Sequence, residues 1–190
     1  MGYSISWVAI KSKDLTAVFD TLKLKPGVNK DEYFESRYAG CQLKNGWYLI
    51  YANEFQGRLT RKETLSQLSF LGKVIACGVE EHIMYSSVSW WERGELKWNI
   101  VHDSQENNMH LFSDGELPAC YKEIKIKLFQ EQELENQNEA EVDFIFEIPL
   151  VVAQHFTSFK HDEENGCFEV SPIELISEQE ESNKPWWQFW

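Results

Sequence analysis

Two acid-imidazole pairs, Glu81-His82 and His102-Asp103, are the residues of this 190-residue sequence best suited to chemistry. An imidazole beside a carboxylate serves general acid-base catalysis or binds a divalent cation, and His110 is near enough in the chain to complete a ligand set. Glu80 directly precedes the first pair. If Arg93-Gly94 is a hairpin tip, a strand over 85–91 pairs with one over 96–102. His102 then stands near Tyr85, and His82 and Asp103 gather at the same end of the sheet. Neighbouring strand residues point to opposite faces, so Glu81 and His82 share a pocket only if a bulge intervenes. The competing explanation is that these side chains hydrogen-bond loops at the sheet rim. His155 lies on or beside an apolar helix stripe. His161-Asp162 puts a positive ring near a helix C-terminus. Both have equally ordinary structural explanations.

A second constellation closes the sequence. Three of its eight tryptophans lie in the last five residues, within Lys184-Pro185-Trp186-Trp187-Gln188-Phe189-Trp190, behind an acidic spacer. Trp186, Trp187, Phe189 and Trp190 are candidate anchors for a partner's pocket. Equally, they plug a groove on their own domain or on a second copy, which would make a homodimer through the tail. Exposed aromatics on a tail invite aggregation, so one of these must bury them.

Elements that would position these residues follow from periodicity. Residues 5–10 read as a strand, and Asp14 caps a helix with Leu15, Val18, Phe19 and Leu22 on one face, ended by Pro26-Gly27. Residues 36–53 read as a hairpin turning at Lys44-Asn45-Gly46. Thr60 and Glu63 form a capping box before Leu65, Leu68 and Leu71, and Gly72 closes that helix. Residues 74–79, 83–91 and 96–101 predict an antiparallel meander, with a short strand over 109–112. Pro118 opens a helix through Tyr121, Ile124 and Leu128 that runs into the polar stretch 130–141. Residues 142–146 look like a strand, Pro149 opens a last helix through Val152, Phe156 and Phe159, and 167–170 look like an edge strand. The expected fold is therefore α+β, a mainly antiparallel sheet with about four helices packed against it. One domain spans 1–172, and 173–190 form an acidic tail.

Composition narrows the function classes. The formal charge is −13, yet residues 1–130 hold 16 acids and 16 bases, while 131–190 hold 15 acids with only Lys160 and Lys184. That balance argues against nucleic acid and anionic membrane as partners, since both are held by clustered Lys and Arg. It suits rapid recruitment of a basic protein. Residues 1–10 lack the charged and apolar regions of a secretory signal, and no apolar run is long enough to span a bilayer, so the expected location is cytoplasmic. Cys41, Cys77, Cys120 and Cys167 are far apart, with no CxxC pair, and read as reduced core residues. No Walker A loop, dinucleotide-binding glycine pattern, nucleophile elbow or HExxH motif occurs. No cofactor is expected.

The segments Gly2-Tyr3-Ser4-Ile5-Ser6-Trp7, Gly46-Trp47-Tyr48-Leu49, Val79-Glu80-Glu81-His82-Ile83-Met84-Tyr85-Ser86-Ser87, Trp98 with Val101-His102-Asp103, and Gly115-Glu116-Leu117-Pro118 resemble a bacterial family of small uncharacterised proteins. The resemblance spans residues 2 to about 170. It implies an intracellular single domain and the company of toxin-immunity proteins, and it carries over no active site. The leading expectation is a non-catalytic protein-binding protein, of the immunity-inhibitor kind, that presents an acidic surface and an aromatic tail. The alternative is a small metal-assisted hydrolase using Glu81, His82, His102 and Asp103.

Overall fold

The computed structural model describes residues 2–137, 142–163 and 166–178. Nine strands form one antiparallel sheet in the order β2-β9-β3-β4-β1-β5-β6-β7-β8. They are β1 (Ser4–Ser12), β2 (Leu24–Lys30), β3 (Tyr38–Gln42), β4 (Tyr48–Ala52), β5 (Gly72–Glu80), β6 (Tyr85–Glu92), β7 (Glu95–Asp103), β8 (Phe112–Gly115) and β9 (Ile173–Ser177). Four helices pack against it: α1 (Leu15–Leu22), α2 (Lys62–Leu71), α3 (Ala119–Gln137) and α4 (Phe144–Thr157). The expected α+β class holds.

The helices divide between the two faces of the sheet, and alternation along the strands supplies both cores. On β1, Trp7 and Ala9 join Ile75, Val88 and Ile100 beneath α4, while Val8 and Ile10 join Ile50, Val74 and Trp91 beneath α1 and α2. A strand covered on both faces reads as a continuous apolar run, which is why residues 5–10 are all buried. Cys41 and Cys77 are in the core and Cys120 and Cys167 are half-buried, all four as free thiols. Burial pushes the Cys41 thiol up to about 12, so it is unreactive at neutral pH.

Several local expectations are corrected. Residues 142–146 are not a strand: the Asp143 carboxylate accepts the backbone N–H groups of Ile145 and Phe146, both at 3.0 Å, and caps α4 at its first turn. Pro149 therefore lies inside α4 rather than at its start. The Thr60–Glu63 capping box does not form, because Thr60 belongs to a separate 3-10 turn, Arg58–Thr60, and α2 begins after Arg61. The first helix ends at Lys23 in the left-handed conformation, and Pro26-Gly27 lie within β2, an edge strand where a missing N–H does little harm. The strand expected over 109–112 is displaced to Phe112–Gly115, and the one over 167–170 reduces to an isolated bridge between Leu43 and Phe168.

The domain boundary also moves. Ile173–Ser177 is not tail but a strand inserted between β2 and β3. Leu175 is buried, with Ile173 packed beside it, so this segment completes a core rather than leaving it. Trp186, Trp187, Phe189 and Trp190 lie outside the described residues.

Candidate functional site

β1, β6 and α4 begin, and β5, β7 and β9 finish, at one end of the sheet. The sequence-expected residues all arrive at this end, but their side chains part company.

The β6–β7 pairing explains why. Trp91 pairs with Leu96, but Trp90 pairs with Trp98, so Lys97 is an extra residue and the register shifts by one. His102 therefore stands opposite Ser86, not Tyr85, and Asp103 takes the place opposite Tyr85. Ser86 and His102 point into the α4 side and are both fully buried. Ser86 donates its hydroxyl to the Phe146 carbonyl at 2.6 Å. Asp103 points to the opposite face, where its carboxylate accepts the Gln105 N–H at 3.0 Å.

His102 is held on two sides. Its Nδ1 lies 2.8 Å from the His110 carbonyl, which only accepts, so that nitrogen carries a proton. Its Nε2 stands 3.0 Å from Asp143 Oδ2, off the line of an ideal hydrogen bond. Burial opposes ionisation of Asp143, but the His102 ring and the first amides of α4 overcome it and hold the carboxyl below its usual range. Gln132 of α3 completes the junction, accepting the Phe144 N–H at 2.7 Å and donating to the Val142 carbonyl at 3.1 Å. His110 contributes differently from a ligand: its Nδ1 accepts the Asp103 N–H at 3.0 Å. This cluster ties β7, the 107–110 turn, α3 and the start of α4 together.

Glu81 and His82 do not sit on a strand. A 3-10 turn, Glu81–Ile83, interrupts the chain between β5 and β6 and ends at Met84 with φ +48°. The His82 ring turns back to Glu80, with Nδ1 2.7 Å from the carboxylate, and remains largely exposed. Hydrogen bonding to the Ser4 hydroxyl, then to His82, lowers the Glu80 pKa. Glu81 instead accepts the Tyr3 N–H at 2.8 Å.

The partner of Glu81 is His161, for which the sequence suggests only a place near a helix C-terminus. The His161 side chain is only 1% exposed, and its Nε2 lies 3.5 Å from Glu81 Oε1. Tyr3 packs edge-on against its ring, with centroids 4.8 Å apart. Neither ring nitrogen has an aligned hydrogen bond among the described residues, and burial lowers the pKa despite the neighbouring Asp162 and Glu81. Beside it, the Lys160 ammonium is 3.0 Å from Glu147 and 2.9 Å from Asp162. Burial would lower the Lys160 pKa, but these carboxylates raise it. Burial raises that of Glu147 in spite of Lys160. Burial also opposes the Asp162 charge, but Lys160 and His161 win and lower its pKa.

The four expected catalytic residues thus have four different environments. Glu81 contacts His161, His82 contacts Glu80 and solvent, His102 is enclosed against Asp143, and Asp103 is on the other face. Among the described residues no group of three His, Cys, Asp or Glu side chains is placed to hold a metal ion. What reaches the surface is a depression that joins the carboxylates of Glu81, Asp143 and Glu147 to the apolar side chains of Met84, Val142 and Phe146. Neither Asp143 nor Glu147 stands in a motif that marks it as a site residue. The available signal was an aspartate directly before an apolar run that also fits helical spacing. No described helix is long and apolar enough to cross a membrane. Comparison with known proteins finds no matching family model, no similar curated protein and no similar solved structure.

Proposed function

We propose that this chain is a non-catalytic protein-binding protein, of the immunity-inhibitor kind, whose acid-lined end takes a basic surface of a protein partner. The observation that supports this reading is the depression flanked by Glu81, Asp143 and Glu147, with Asp162 and Glu163 beside it and the Lys160 ammonium already engaged by Glu147 and Asp162. Fixed carboxylates attract a cationic partner from a distance and discriminate against anionic ones. The same field disfavours nucleic acid.

The test is affinity capture from the cells that make the protein, using the full chain and its Glu163→Lys variant, a substitution at an exposed position. The expected result is a basic partner that rising salt releases and the reversed variant fails to retain. Equal capture by both chains, or release indifferent to salt, overturns the reading.

A further inference from the structure

The face of the sheet under α2 opens a cavity of about 160 Å³ between β5, β6, Leu65 of α2 and the chain from Phe55 to Thr60. The pairing of β5 with β6 explains where it forms. On this face Val74, Ala76 and Gly78 stand opposite Trp91, Ser89 and Ser87, so side-chain volume falls on both strands towards Gly78. Phe55 and Tyr85 close the far side, their ring centroids 5.1 Å apart. A Cβ at Gly78 would stand 3.1 Å from Ser87 Oγ and 3.4 Å from the Phe55 ring, so a larger residue there enters the space.

The aromatic wall is held from outside the cavity. The Glu54 carbonyl accepts the hydroxyl of fully buried Ser6 at 2.8 Å, and the Glu54 carboxylate accepts from the Tyr38 hydroxyl at 2.9 Å and from Arg37 at 3.0 Å. The segment that carries Phe55 is thus anchored without a contact inside the cavity, as in a site formed before its ligand arrives. The lining is neutral. No charged side chain belongs to it, and burial raises the Tyr85 pKa, so the phenol stays protonated. Its polar groups are not used up by the fold. Ser89 Oγ accepts the Trp91 Nε1–H at 3.0 Å and keeps its own proton to donate. The Gln56 amide and the Thr60 hydroxyl make no side-chain hydrogen bond among the described residues.

We infer that this cavity binds a neutral, planar, single-ring ligand with hydrogen-bonding groups on its edge, the chemistry shared by a phenol and a pyrimidine base. Size sets the ring count: a cavity of roughly 150 Å³ holds one benzene-sized ring, and drug-sized ligands need about 300 Å³ or more. Shape follows from the walls. The Phe55 and Tyr85 rings meet at 67°, so a flat ligand lies against the face of one and meets the edge of the other. The donors of Gln56, Thr60 and Ser89 call for an acceptor on the ligand, and the Gln56 amide oxygen takes a donor. A charged ligand would lose its hydration here without gaining a counter-ion.

The test uses the isotope-labelled full chain, titrated with phenol, uracil, benzene and benzoate while its amide signals are followed. Phenol or uracil is expected to shift the Gly78, Ser87 and Ser89 amides saturably, with benzene and benzoate at least about tenfold weaker. Saturation by only one of the two supports the inference and names the type of ligand. Gly78→Val fills the cavity and should abolish the shifts at Ser87 and Ser89. Phe55→Ala removes a wall without adding bulk and should weaken binding at least about tenfold. The Trp7 and Trp98 indole signals, from the opposite face, should stay in place and report an intact sheet; if Gly78→Val disturbs them, Phe55→Ala alone decides. The inference is overturned if neither phenol nor uracil shifts these amides, if binding survives the variants, or if benzene or benzoate binds as tightly. None of these outcomes depends on a protein partner at the acid-lined end.

Discussion

His102 and His161 are both enclosed at the same end of the molecule, yet they differ in how their surroundings treat the ring. His102 sits between a backbone carbonyl and the carboxylate that caps α4, so each nitrogen has a polar neighbour within 3.0 Å. His161 packs under Tyr3 with no aligned partner for either nitrogen and with Glu81 at 3.5 Å. The first is a joint between elements. The second is a buried titratable group whose neutral form the fold prefers. Enclosure alone therefore does not decide what an imidazole does; the geometry of its polar neighbours does.

The comparison breaks most directly at His102. His102→Ala removes a buried ring and leaves the Asp143 carboxylate and the His110 carbonyl without their neighbour, with an expected loss of about 3 kcal/mol in urea unfolding. His161→Ala should cost clearly less, since it strands no aligned hydrogen bond. Equal losses would erase the distinction. Asp143→Ala comes next, at about 2 kcal/mol, because it removes the α4 cap as well as the contact with His102. Asp143→Asn retains the capping oxygen and should recover about half of that loss.

A smaller effect belongs to His161 and depends on pH. The His161 pKa in the folded chain is below its ordinary 6.5, so on acidification through 6.5 the unfolded chain takes up the proton first. Stability should therefore fall as pH drops below about 6.5 and towards the folded-state pKa. Carboxylates such as Asp143 and Asp162, whose folded pKa values are lowered, add their own loss at lower pH. The groups facing His161 are Glu81, Tyr3, Lys160 and Asp162. His161→Phe keeps an aromatic ring under Tyr3 and should remove the higher-pH part of the loss, read as the difference between the two urea-unfolding profiles from pH 7.5 to 5.5. Parallel profiles would show that His161 does not titrate differently on folding. The smallest expected effect is that of Glu81→Gln, less than about 1 kcal/mol, because an amide oxygen still accepts the Tyr3 N–H.

Much of the framework was legible in local pattern. The strand over residues 5–10, the Asn45-Gly46 hairpin, the Asp14-capped helix and the meander through β7 all have strong short-range signals, and each is present. The failures share a cause. Residues 142–146 are rich in apolar and β-branched residues, which suit a strand, but Asp143 meets the backbone of the next turn and the apolar run is buried from a helix. Ile173–Ser177 has no local turn or partner to announce it. Its pairing with β2 and β3 joins residues more than 130 positions apart. The candidate site failed at the register, because one extra residue, Lys97, decides which side chain stands opposite Tyr85.

The sequence by itself determined the fold class, the balance of charge between residues 1–130 and the acidic remainder, and the end of the sheet at which Glu81, His82, His102 and Asp103 gather. These follow from periodicity, turn chemistry and composition, which are local or additive properties. Only the tertiary structure decided that His102 meets Asp143, that Glu81 meets His161, and that Asp103 faces away from both. Those contacts depend on a bulge, a 3-10 turn and a loop running back along α4. Each changes side-chain direction by an amount that no local spacing encodes.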